Sequence, residues 1–214
     1  MTIQHQREAI IAPVSPHLSA AARAELLARW VSRVGSPPVL ATIGIIMAAQ
    51  SAQSRLAWSW AGFYILVAIF LPVVYILWLV RQGKVTDFDL SRREQRRNPF
   101  IVTLLSSLVA WLALDLAQAP AQLVLLAGAG WVQIVLLLAI TLHWKISAHC
   151  ASAASFVVWL WAIFGPTATP FILLIPLIAW SRLRLQRHDL PQTVAGALLG
   201  STVLAITLHL AGQK

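Results

Sequence analysis

Acidic side chains are the scarcest chemistry in this chain: seven Asp and Glu stand among 214 residues, against sixteen Lys and Arg. Charged residues of both signs make up 11%, less than half of the roughly one quarter usual in a soluble domain, which excludes an ordinary water-soluble globule. The single cysteine, Cys150, excludes a disulfide scaffold. Hard cations want several oxygen ligands, and so few carboxylates leave little to build them from; no metal or other cofactor is expected. Intrinsic disorder is excluded from the other side, because 59% of the residues are apolar and disordered chains are poor in them. That apolar content and ten Trp point to an integral membrane protein. The net charge of +9 then means nucleic-acid binding, membrane topology or a site for an anion. Nucleic acid is the weakest of these, since most of the chain lies in lipid, and it is not expected as a partner.

A spanning helix needs roughly 20 apolar residues, within about 17–25. Leu56–Val80, Ile101–Leu116, Ala121–Leu142 and Val194–Leu210 read clearly as spans, and Val39–Ala52, Ala151–Phe164 and Pro170–Trp180 as shorter ones. Pro37-Pro38, Pro99, Pro120, Gly165-Pro166 and Pro191 punctuate these runs where helices begin or turn. The runs are continuous, not alternating ten-residue strands, so helices are the default. The fold class expected is all-α: a polytopic transmembrane helical bundle of six to seven spans, with an N-terminal amphipathic helix. Met1–Val14 holds no apolar core of the kind a secretory signal needs. Ala20–Val34 reads as amphipathic, with Leu26, Leu27, Trp30, Val31 and Val34 on one face and Glu25, Arg29 and Arg33 at i, i+4 on another. Such a helix lies at the membrane surface or packs on the protein. The chain thus divides into an N-terminal segment, 1–36, and a membrane domain, 37–214. Gly128 and Gly130, two apart, make no Gly-x-x-x-Gly face, and the oligomeric state is not legible.

Three polar islands separate the spans: Arg81–Asn98, His143–His149 and Ser181–Gln192. Two spans lie between the first and second, and two more between the second and third. Even numbers of crossings return the chain to one side, so all three islands meet at one membrane face. They hold Arg81, Lys84, Arg92, Arg93, Arg96, Arg97, Lys145, Arg182, Arg184 and Arg187, with His143, His149 and His188. The opposite loops, Ala117–Pro120 and Gly165–Thr169, carry no charge. A cationic, histidine-bearing face beside lipid suits a phosphorylated lipid head group, because the planar fork of Arg binds two phosphate oxygens at once. Topology alone also concentrates Lys and Arg in cytoplasmic loops, but it does not account for the histidines. Asp87 and Asp89 among so many Arg read as ion-pair partners. Asp189-Leu190-Pro191-Gln192 has the form of a helix N-terminal cap, with Pro just inside the start.

The islands resemble the phosphatidic acid phosphatase type 2 superfamily of membrane lipid phosphatases. Its signature runs Lys-(six residues)-Arg-Pro, Pro-Ser-Gly-His, and Ser-Arg-(five residues)-His-(three residues)-Asp. Ser147 and His149 match the second part, and Ser181-Arg182 with His188 the third, followed by Val194–Gly200. The chain departs from the pattern in three places. Lys84 stands at the wrong spacing from Arg92, Arg93, Arg96 and Arg97; Ile146 and Ala148 replace the second motif's Pro and Gly; and Gln192 stands where the third motif has Asp.

The resemblance implies a phosphohistidine mechanism without metal. His188 is then the nucleophile and His149 the acid that protonates the departing lipid oxygen and later activates water. Arg182, with Arg96 or Arg93, holds the phosphoryl oxygens, and Ser147 adds a donor. Lys145 adds positive charge to the phosphate site. Gln192 can accept the Nδ1–H of His188 but brings no negative charge, so slower chemistry is expected than with Asp. Expected substrates are phosphatidate-type or polyprenyl phosphates; the contrasting expectation is a degraded relative that binds an anionic lipid uncleaved. The far face shows only Arg55 and Lys214, so the positive-inside rule puts the site on the cytoplasmic side of an inner membrane.

Overall fold

The computed structural model describes residues 19–212; residues 1–18 of the N-terminal segment, and the last two, among them Lys214, lie outside the described residues. Ser19 caps α1 (Ala20–Val34) by accepting the Ala22 N–H, and a break at Gly35-Ser36 leads into α2 (Pro37–Ser51). Proline is tolerated in a first helical turn because its missing N–H would have no partner there. α3 (Arg55–Tyr64) and α4 (Leu71–Arg81) are joined through a π-helical turn, Ile65–Phe70, into one run, Arg55–Arg81. A short 3₁₀ turn, Arg93–Gln95, precedes α5 (Arg97–Leu116); α6 (Ala121–His143) and α7 (Ala148–Phe164) follow. The 3₁₀ stretch Gly165–Leu173 leads into α8 (Leu174–Arg184), and α9 (Leu190–Leu210) closes the order. Every element among the described residues is helical. The bundle is all-α and membrane-embedded, as its composition requires.

Five helical stretches are long and apolar enough to cross a bilayer, or six when α1 and α2, bent by 44°, are taken as one. The stretch Ala148–Arg184 contains two of the expected segments because it doubles back. Gly165, at φ +59°, ends α7 in a left-handed conformation that side chains disfavour. The return brings Arg182, near the end of α8, beside His149, near the start of α7, on one cavity wall. α2, at fifteen residues, is about 22 Å long and counts as a span only together with α1.

α1 packs on the protein, the second of the two expected placements, but not through the apolar face that the sequence suggests. It packs on α8 through Ala28 and Ser32, which are buried, while Leu26, Leu27, Trp30 and Val34 remain exposed. The buried stripe is thus the narrow one, because small residues allow two helices to approach closely. Small residues also build the core at the end of the bundle away from the islands, where Ala48, Ala49, Ala57, Ala61, Ala110 and Ala127 are fully buried. Lipid is as apolar as leucine, so close packing rather than water exclusion holds such helices together.

A Gly-x-x-x-Gly pair does exist, at Gly196 and Gly200, and it works inside the fold rather than between copies. A Cβ on Gly200 would overlap the carbonyl oxygen of Ala151, and one on Gly196 the carbonyl oxygen of Ser147. α9 therefore lies directly on the backbone of α7. A clash with backbone cannot be relieved by a rotamer change. Gly200→Val is expected to lower stability in detergent by at least about 1–3 kcal/mol, the usual cost of overpacking. Gly62→Ala, where an added Cβ meets nothing within 4 Å, serves as control; equal melting temperatures for the two variants would contradict this packing.

Candidate active site

The islands meet through hydrogen bonds that tie helix ends together. Arg96, the N-cap residue of α5, is 4% exposed. Its Nε donates to the Leu90 carbonyl at 2.8 Å and its Nη1 to the Ile146 carbonyl at 3.2 Å. The Ser147 N–H donates to the Gln192 carbonyl at 3.2 Å, joining the second island to the third. Arg187 donates to the Ser91 hydroxyl and lies 3.6 Å from an Asp87 oxygen, joining the third to the first. Crossing parity correctly brought these segments to one face.

Between them lies a cavity of about 240 Å³. Arg96, Arg182, His149, His188 and Asp89 form its polar end; Ile69, Val73, Phe100, Ile134 and Leu137 are among its apolar walls. It reaches Ser107, roughly 16 Å along α5 from Arg96. Arg182 is 1% exposed. One of its terminal nitrogens donates to an Asp89 oxygen at 2.7 Å and to the Ser32 hydroxyl at 2.5 Å, while its Nε has no partner among the described residues. The Nε2 of buried His149 likewise has none. Buried polar groups are nearly always paired, so these two, on one cavity wall, are the groups a bound anion would satisfy.

His188 sits just before α9. Asp189 caps that helix, its Oδ1 accepting the Gln192 N–H at 2.9 Å, and its Oδ2 accepts from Gln192 Nε2 at 2.8 Å. Gln192 Oε1 faces His188 Nδ1 at 2.9 Å. Burial drives His188 down; the hydrogen bond to Gln192 opposes this, and the charges of Arg96, Arg182 and Lys145 add to it, leaving a pKa of about 3. Burial would raise Asp89, but the neighbouring guanidinium of Arg182, with His149 and Arg187, outweighs it and holds the carboxyl below its usual range.

Three residues expected to contact phosphate do not line this cavity. Ser147 is fully buried and does not line the cavity; its hydroxyl caps α7 by accepting the Cys150 N–H, and its own N–H is used on Gln192. Arg93 is exposed and donates to the His143 carbonyl at 2.7 Å, which leaves Arg96 as the cavity's cation from that island. Lys145 is partly exposed beside the cavity, its ammonium lowered by burial and then by the charges of Arg96, Arg182 and Arg187. The expected cap at Asp189 is present. Ser32 escaped the sequence reading altogether; a lone hydroxyl in an amphipathic helix carries no pattern that marks it. Asp89 was legible as an ion-pair partner, but not which arginine it meets.

The sequence model of the PAP2 superfamily matches residues 96–214, more than half of the chain, and the match includes Arg96, His149, Arg182, His188 and Gln192. No curated protein and no solved structure matches the chain. Members of this superfamily are usually phosphatases, and a membrane bundle with two imidazoles and two guanidiniums around one cavity agrees with that chemistry. The chain belongs to the PAP2 superfamily.

Proposed function

We propose that this protein hydrolyses a phosphate ester or diphosphate of a membrane lipid, through a phosphohistidine on His188. The observation that carries the reading is the composition of one cavity, which runs about 16 Å along α5 from its cationic, imidazole-bearing end into a mostly apolar trough. A soluble phosphate ester has no use for the trough, and a purely apolar ligand has no use for two buried guanidiniums. Phe88 and Asp89 also line a polar surface cleft containing Arg29, Arg33, Arg184 and Arg187. In this reading that cleft, which shares these two wall residues with the cavity, is where water enters and phosphate leaves.

In the proposed reaction Arg182 and Arg96 hold the non-bridging oxygens, where charge accumulates. The free Nε2 of His188 attacks phosphorus, the N–P bond forming as the bond to the lipid oxygen breaks. His149, acting as the imidazolium paired with the bound phosphate, gives its Nε2 proton to that oxygen and becomes neutral, and the lipid alcohol leaves. Water then attacks phosphorus, His149 takes a proton from it, the N–P bond breaks, and phosphate departs with both histidines restored. The excess of cations at this end of the bundle supports placing the reaction on the cytoplasmic side of an inner membrane.

Phosphate release from phosphatidate and a polyprenyl phosphate in mixed micelles tests the reading. Release is expected from wild type and loss of it in His188→Ala; His149→Ala is expected to slow release by about 10²–10⁴-fold and His188→Ala to prevent formation of an acid-labile phosphoenzyme. Wild-type protein that binds these lipids and releases nothing would overturn hydrolysis in favour of an anionic-lipid binder.

The trough gives a second expectation. Ile134→Trp fills its apolar wall, and should raise KM for a long-chain lipid phosphate by about tenfold or more while leaving a short soluble phosphomonoester unaffected; equal changes for both would remove the trough from substrate binding.

The depressed His188 pKa gives a third. Only the unprotonated ring attacks, and a folded value of about 3 keeps it unprotonated where an ordinary histidine, near 6.5, takes up a proton. The His188 nitrogen resonances should therefore stay constant between about pH 7.5 and 5, whereas a midpoint near 6.5 would contradict the burial described.

A further inference from the structure

We propose that Asp189 is a positioning residue that sets the tautomer of His188 by locking the orientation of the Gln192 amide; the inference rests on the reading of His188 as nucleophile. An amide side chain can present either its oxygen or its nitrogen to a neighbour, and by itself Gln192 leaves the choice open. Asp189 removes it. One carboxylate oxygen accepts the Gln192 backbone N–H at 2.9 Å and the other accepts Nε2–H at 2.8 Å. A carboxylate only accepts, so the NH₂ end of Gln192 must face Asp189, and its oxygen must face His188. The contact at Nδ1, 2.9 Å, is then a donation from the ring, so the neutral ring carries its proton on Nδ1. The lone pair belongs to Nε2, the nitrogen that attack on phosphorus requires.

The arrangement also restores part of what a direct carboxylate would supply. When the N–P bond forms, His188 becomes cationic, and a negative charge stands behind the Gln192 amide along a chain of polarised hydrogen bonds. Histidine tautomers are commonly fixed through the nitrogen that does not do the chemistry. Here the fixing group is two side chains deep, and both lie at the start of α9.

Asp189→Asn tests the proposal because asparagine caps helices as well as aspartate does. With the oxygen of the introduced amide kept on the Gln192 backbone N–H, its nitrogen becomes a donor towards the Gln192 side chain. The three side chains keep their hydrogen bonds to one another only if the Gln192 amide turns over, donating Nε2–H to His188 Nδ1 and moving the ring proton to Nε2. The isosteric swap Asp189→Asn/Gln192→Glu returns a pure acceptor to His188, with the introduced asparagine amide donating to the new carboxylate.

Nitrogen-15 spectra of histidine-labelled protein, His188 being assigned by its loss in His188→Ala, should show the Nδ1–H form in wild type. They should show the Nε2–H form in Asp189→Asn and the Nδ1–H form again in the double variant. Phosphate release should fall by about 10–100-fold in Asp189→Asn and recover in the double variant. An unchanged His188 tautomer in Asp189→Asn would overturn the proposal, and so would a double variant no better than the single. A tautomer that switches as described in a protein releasing no phosphate would uphold the relay and sink the hydrolytic reading instead.

Discussion

A full positive charge with almost no access to water is the constraint around which the site end of the bundle is organised. Arg182 carries that charge, and burial of a cation is tolerated only where oxygen atoms surround it. α8 cannot supply them, because its own carbonyls are committed to the helix. They come from Asp89 in the first island and Ser32 in α1. Satisfying one guanidinium therefore draws three separate parts of the chain together, and the cavity is the space left between them. Asp89 in turn ionises readily despite its burial because that charge is beside it. The scarcity of acids, which at first only excluded a soluble protein, gains a local meaning: one of the few carboxylates of the islands, Asp89, meets the most deeply buried cation.

How much of this was legible in the sequence depended on whether a feature had a period. Helices of twenty or more apolar residues have one, and α6 and the Arg55–Arg81 run lie within two residues of their expected bounds. The polar ends of the helices lack it. α5 begins at Arg97, α7 at Ala148, α8 runs to Arg184 and α9 starts at Leu190, so helix extends into every island that hydropathy had left as loop. A hydropathy boundary marks where the environment changes from lipid to water or protein, and the backbone has no reason to stop there. His149, Arg182 and Gln192 sit in that difference.

Motif spacing carried His149, Arg182, His188 and Gln192 correctly into one neighbourhood, because local helix geometry preserves spacing. It could not show that Ser147 N–H goes to the Gln192 carbonyl, nor, between Arg96 and Arg93, that Arg93 goes to the His143 carbonyl; such long-range partners leave no trace in linear order. The Gln192 substitution shows the same limit from the opposite direction. Read alone it removes a charge; read with the cap at Asp189, which the sequence did display, the charge has moved one side chain further back.

The direct backbone contact of α9 on α7 at Gly196 and Gly200 has a consequence for how the protein meets bilayers of different thickness. Spanning helices answer a mismatch by tilting, and helices separated by long side chains can slide as they do so. Two helices seated backbone against backbone, and joined at their polar ends by the Ser147–Gln192 hydrogen bond, tilt as one body. His149 leads the first and His188 immediately precedes the second. The separation of the two imidazoles is thereby insulated from the membrane, and adjustment falls on the remaining helices, which shape the apolar trough.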